Sequence, residues 1–211
     1  MTNPDIPLNL ALVPQTYKAA PRKRKVMRSA IGNAADAIGP ISRNCEIFCL
    51  TNGQFSVIDV LDYVLDTTGR ASIDLATWTA ADGDIRRAHA FLLSGRIERV
   101  RMIVDPSFRT RKPEFCKTLI ELFGNNAIRT TPIHGKFAII RNDQWNIAIR
   151  TSMNLNVNNR IETIEISDDA ALSDVIQGFV DDAFSKSSVA NFKSQSLSQN
   201  AKHDIKSQLL F

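Results

Sequence analysis

At 211 residues and 44% hydrophobic content, the chain is long enough to bury one good core, and its length favours a single domain with tails. The three cysteines, Cys45, Cys49 and Cys116, are odd in number and contain no Cys-x-x-Cys pair. With only three histidines they argue against a disulfide framework or a zinc site and for reduced thiols in a cytoplasmic protein. The net charge of +4 is local, because residues 1–44 carry +5 and the remainder −1, and no segment has the apolar length or flanking charge of a membrane span or signal peptide.

In chain order, Pro4, Pro7, Pro14 and Pro21 oppose helix before residue 22, and the spacing predicts a helix over Lys23–Ile38 with a basic first turn. Cations there oppose the helix macrodipole, which suggests that an external anion selects them. Arg22, Lys23, Arg24, Lys25 and Arg28 are therefore candidate nucleic-acid contacts on an arm spanning residues 1–44, with a solvated, disordered arm as the alternative.

Regular alternation begins at Cys45. Glu46–Thr51 reads as a strand, Ser56–Asp66 as a helix capped by Ser56 and closed by Gly69, Ala71–Thr79 as a strand, and Asp84–Leu93 as a helix ended by Gly95. Val100–Val104 is the next strand, Pro113–Phe123 a helix with proline at its start and Gly124 at its end, and Ala127–Thr131 a short strand. Strands alternating with helices at this spacing predict an α/β sheet covered on both faces, whose site lies beyond strand ends. Asp74, Trp78, Asp105 and Arg109 fall at or just after predicted strand ends, although Trp78 suits a core position equally well.

The most informative stretch runs from Ile133 to Glu162. It contains two apolar strands, Phe137–Ile140 and Asn146–Thr151, joined by a turn at Asn142-Asp143-Gln144. Residues two apart in an extended chain face the same way, so His134 pairs with Lys136 and Ser152 with Asn154, and a hairpin brings the pairs together. These types suit attack on a phosphodiester: an imidazole serves as nucleophile or general acid, Lys and Asn hold phosphoryl oxygens, and a hydroxyl orients a neighbour. None of this requires a metal or another cofactor.

At these residues the chain resembles the phospholipase D superfamily. His134-Gly135-Lys136 matches the His-x-Lys signature, Thr151-Ser152-Met153-Asn154 the downstream Ser-x-Asn, and Glu162 the acidic residue that follows. The sequence departs from the pattern at Arg141, which stands where the family has Asp, and at Thr151, which replaces glycine. The resemblance implies a mixed sheet between helices over residues 45–184.

It further implies a metal-independent phosphodiesterase acting through a phosphohistidine, with His134, Lys136, Ser152, Asn154 and Glu162 as site residues. Single-copy members, which resemble bacterial and phage-type nucleases, imply a homodimer that completes one site across a twofold axis. With the basic arm, this favours DNA over RNA as substrate; the alternative is a weakened domain that binds nucleic acid without cleaving it. Glu162 is expected to orient the histidine. Thr163–Ile166 completes a strand, Leu172–Phe184 predicts a packing helix, and residues 185–211 form a polar tail.

Overall fold

A computed structural model describes residues 21–29, 32–157 and 159–186. The expected tail from residue 187 onward lies outside the described residues. The elements run β1 (Lys23–Ser29), α1 (Ala34–Ile38), β2 (Cys45–Thr51), α2 (Val57–Thr68), β3 (Ala71–Thr77), α3 (Asp82–Leu93) and β4 (Ile97–Val104). They continue through α4 (Ser107–Arg111), α5 (Pro113–Phe123), β5 (Ile128–Thr130), β6 (Phe137–Arg141), β7 (Asn146–Thr151), β8 (Glu162–Asp168) and α6 (Ala170–Lys186). The strands form one mixed sheet in the order β1-β2-β8-β7-β6-β3-β4-β5.

Local chemistry sets most of these boundaries. Ser56 and Asp59 close a reciprocal capping box at the start of α2, and Gly69, at φ 75°, ends it with its amide on the Leu65 carbonyl. Pro113 opens α5, where a missing amide costs nothing.

The main correction concerns the basic run. Lys23–Ile38 is not a helix: Lys23–Ser29 is an edge strand parallel to β2, in register from Lys23 opposite Cys45 to Ser29 opposite Thr51, and only Ala34–Ile38 is helical. Ladder bonds to β2 outweigh helix propensity here, since Lys25, Met27 and Ser29 turn inward at strand spacing while Arg24, Val26 and Arg28 face out. The Lys25 stem lies over the end of α1 and its ammonium donates to the Ile38 carbonyl at 3.1 Å. Gly39 is favoured there by its φ of 64°, which an L side chain rarely adopts, and the Lys25 head lies close over its Cα. Residue 44 thus lies in the connection between the paired strands β1 and β2.

Helices α1, α2, α3 and α5 cover one face of the sheet, over a continuous core that includes Ile47, Ile58, Leu61, Ile73, Phe108 and Leu119. Helix α6 lies on the opposite face across β6 and β7, where Val180 and Ala183 meet Ala76 and Ile103. It covers only half of that face. Beyond it β1, β2 and β8 present Val26, which is 67% exposed, with the half-buried Phe48 and Leu50. Among the described residues no helix is long and apolar enough to cross a membrane.

Candidate phosphodiester site at one end of the sheet

The antiparallel hairpin β6–β7 opposes Phe137 to Arg150, and β7 pairs with β8 so that Thr151 faces Ile164. The start of β6, the end of β7 and the start of β8 therefore share one sheet end with the ends of β2, β3 and β4. His134 and Lys136 come just before β6, Ser152 and Asn154 just after β7, and Glu162 opens β8.

Lys136 is anchored by its backbone and extends its head along the site. Its carbonyl accepts from the Thr151 amide at 3.1 Å, and its Nζ donates to the His134 carbonyl at 3.1 Å. Burial pushes the Lys136 pKa down, while the Glu162 carboxylate pulls in the other direction. That coupling puts the two side chains within electrostatic reach.

Ser152 is held from several sides. Its amide donates to the Thr163 carbonyl at 3.1 Å, the Thr163 amide donates to its Oγ at 2.9 Å, and Oγ donates to the buried Glu162 carboxylate. Thr151, in the family's glycine position, donates through Oγ1 to the Thr163 carbonyl at 2.7 Å and accepts from the Met153 amide at 3.0 Å. The threonine thus stitches the turn that glycine would leave looser. Asn154 Oδ1 is buried and accepts no hydrogen bond among the described residues.

The imidazole of the exposed His134 meets the Trp78 ring, with centroids 5.8 Å apart and planes at 60°. Glu162 reaches Ser152 instead of the imidazole, so the expected direct carboxylate–histidine contact is absent from the described hydrogen bonds. Asp105, at the end of β4, accepts from the Ser107 amide at 2.9 Å, from the Ser107 hydroxyl and from the Ile133 amide at 3.1 Å. Burial would raise its pKa, but these donors and Arg111 hold the carboxyl below its ordinary value. Asp105 consequently ties the loop before His134 to the start of α4.

Arg141 lies elsewhere. Seven residues of extended chain separate it from His134, roughly 20 Å at strand spacing. At the far end of β6 its Nε donates to Asn146 Oδ1 at 3.0 Å and its Nη2 pairs with Asp174 of α6 at 2.8 Å. Asp143 is exposed in the same distant turn. Asp74 is not at a strand end either; it is buried within β3, bound by Arg99 and Arg101.

The five cations of the basic run divide. Arg22 is largely buried at the far end of the sheet, paired with Asp169 at 2.6 Å, and Arg24 pairs with Glu46 at 2.8 Å. Lys25 is occupied by Ile38, as above, while Lys23 and Arg28 are exposed. Arg28 is nearest the site, because its neighbour Ser29 faces Thr51, which faces Glu162. With Asn52 and Ile161 it borders a groove of about 160 Å³.

Sequence reading placed Arg109 after a strand end but missed α4 and Arg111. Asp105-Pro106-Ser107 was the available signal, since Asp before Pro favours a turn and its carboxylate can bond the backbone two residues on. No cluster of three or more His, Cys, Asp or Glu side chains among the described residues is arranged to hold a metal ion.

No protein-family model matches the chain, and no curated protein matches it. Solved structures do. NucT from Helicobacter pylori superposes with a TM-score of 0.51 at 16% identity, over 67% of this chain and 98% of NucT. Nuc from Salmonella typhimurium, described as a phospholipase D family member, gives a TM-score of 0.47 at 14% identity, over 68% of this chain and 95% of Nuc. A polyphosphate kinase from Porphyromonas gingivalis gives 0.48 at 18% identity, over 70% of this chain and 27% of the kinase. At 16% identity the likeness to NucT is one of backbone alone, and the eight-stranded mixed sheet with its helical layers is consistent with a phospholipase D-like fold.

Proposed function

We propose that the chain is a metal-independent phosphodiesterase, a nuclease that acts on DNA in preference to RNA and works as a homodimer. One observation carries this reading: His134, Lys136, Ser152, Asn154 and Glu162 gather at one end of the sheet, while Arg141, the departure from the signature, is engaged with Asp174 at the other. A substitution outside the site leaves its chemistry intact.

In the proposed reaction the His134 imidazole attacks phosphorus, so that a P–N bond forms as the bond to the leaving oxygen breaks. His134 of the partner subunit gives that oxygen its proton and then takes one from water, whose oxygen displaces the imidazole. The Lys136 ammonium and the Asn154 Nδ2 amide, both donors, bear on the phosphoryl oxygens as charge shifts to them. Glu162 fixes Ser152 and balances the lysine charge.

A homodimer supplies the second imidazole, and two surfaces favour one. Val157 and Ile161, 58% and 73% exposed, flank the site in the loop between β7 and β8. The bare half of the sheet beyond α6 adds Val26, Phe48 and a groove of about 250 Å³. Arg28 and the exposed Lys23 offer phosphate contacts, and the buried, unpaired thiols of Cys45, Cys49 and Cys116 suit a reducing cytoplasm.

The test is incubation of the purified chain with labelled single- and double-stranded DNA and RNA in EDTA, beside His134→Ala. Cleavage that persists in EDTA and is lost in the variant is expected. Retarded mobility without cleavage in both proteins would instead make this a binding protein on a phosphodiesterase fold.

A further inference from the structure

Beside His134 lies a unit that the proposed chemistry leaves unused. Arg111, exposed at the end of α4, holds its guanidinium carbon 3.6 Å from the centroid of the Trp78 ring, the separation of stacked planes. Its Nη2 donates to the Trp78 carbonyl at 2.9 Å and its Nε to Ser107 Oγ at 3.2 Å. Among the described residues Nη1 makes no hydrogen bond and no carboxylate lies within ion-pair distance. An exposed arginine usually wanders; this one is held by a ring, a carbonyl and a hydroxyl.

The unit is fixed relative to the candidate nucleophile. Trp78 touches both the guanidinium and the His134 ring, and Asp105 binds the start of α4 and the residue before His134 together. Arg109 and Lys112 add exposed cations on the same segment. A planar cation backed by an indole presents a face on which a nucleobase stacks, and an amino group that meets a phosphate. Bases within a duplex already stack on their neighbours and have no free face to offer.

We propose that Trp78 and Arg111 form a subsite for the base of an unpaired nucleotide adjacent to the phosphodiester at His134, so that the chain selects single-stranded segments. This rests on the phosphodiesterase reading for its position, and its test is separable from that reading.

The chain has two tryptophans, so Trp145→Phe leaves Trp78 as the sole reporter. Oligo(dT) is expected to quench Trp78 fluorescence at concentrations roughly tenfold below those of a duplex of equal length, and Arg111→Ala to remove that difference. Wild type is expected to cleave a base-bearing single strand about tenfold faster in kcat/KM than an abasic strand of the same length. Arg111→Ala and Trp78→Ala should bring that ratio to about one, and Trp78→Phe, which keeps a ring, should retain part of it.

Equal quenching by duplex and single strand, or equal losses on base-bearing and abasic strands, would overturn the subsite. A chain that binds unpaired strands through Trp78 yet cleaves nothing would sustain the subsite and overturn the phosphodiesterase reading. A chain that cleaves abasic and base-bearing strands alike would do the reverse.

Discussion

The hairpin β6–β7 has two ends, and they differ in how their charged groups are engaged. At the Arg141 end Asp168 accepts from the Asn44 and Asn146 amides and pairs with Arg43, Asp169 pairs with Arg22, and Arg141 pairs with Asp174. At the other end the Lys136 ammonium meets a single carbonyl, Asn154 Oδ1 is buried without a donor, and His134 faces solvent. One end of the same two strands is closed by ion pairs, while the other leaves an imidazole exposed and an ammonium on a carbonyl.

Substitutions at the two ends should separate accordingly, activity from stability. The largest effect is expected for His134→Ala, with a loss of cleavage of about 10³-fold and an unchanged thermal midpoint. A variant that keeps a tenth of the wild-type rate would contradict a nucleophilic role. Glu162→Gln, which loosens Ser152 and unbalances Lys136, should cost about 10²-fold in kcat/KM with a smaller effect on folding. Denaturant titration alongside the assay distinguishes this from simple unfolding.

At the far end Asp169→Ala removes the carboxylate that pairs with the largely buried Arg22 and caps the Leu172 amide at 3.1 Å. About 3 kcal/mol of stability should be lost, with the rate per folded molecule preserved. A loss of rate without a loss of stability would erase the contrast between the ends.

Asp105→Asn should cost about 1–2 kcal/mol near neutral pH, since three donors favour the ionised form. The folded pKa lies below the ordinary carboxyl value of 3.8, so this stabilisation is present above pH 3.8 and is lost as pH falls through the folded value. The gap between wild type and variant should therefore close in urea titrations below about pH 4, and a gap that widens in acid would show the wrong sign.

The smallest effect is expected for Arg141→Asp. Restoring the family carboxylate there faces it toward Asp174, costing up to about 1 kcal/mol with activity within about twofold. A large gain in rate would show that the far end takes part in the chemistry after all.

Periodicity alone revealed most of the sheet. Strands β2, β3, β4, β6 and β7 and helices α2, α3, α5 and α6 stand close to where apolar spacing, caps and glycines put them. The basic strand β1 was illegible, because its partner β2 is brought to it by tertiary contacts and Lys-Arg-Lys carries no apolar alternation to announce it. The short α4 was missed for a related reason: five residues give too little period to read, and its place depends on an aspartate that also bonds Ile133. In the candidate site the residue types were legible from His134-x-Lys136 and Ser152-x-Asn154, but the partner of each was not. That Glu162 holds Ser152, and that Trp78 meets His134, depends on how strands far apart in sequence come to lie side by side.

The position of β8 also sets a sequence of events. It lies between β2 and β7, pairing Glu46 with Ser167 across most of the domain, and it is the last strand among the described residues. Synthesis proceeds from the N-terminus, so His134 and Lys136 leave the ribosome before Glu162 does, and β2 waits unpaired on that side until β8 arrives. Closing so long a loop is slow relative to forming the local β6–β7 hairpin. The carboxylate that holds Ser152 is thus delivered by the insertion that seals the sheet, and a nascent chain displaying the histidine and lysine still lacks it.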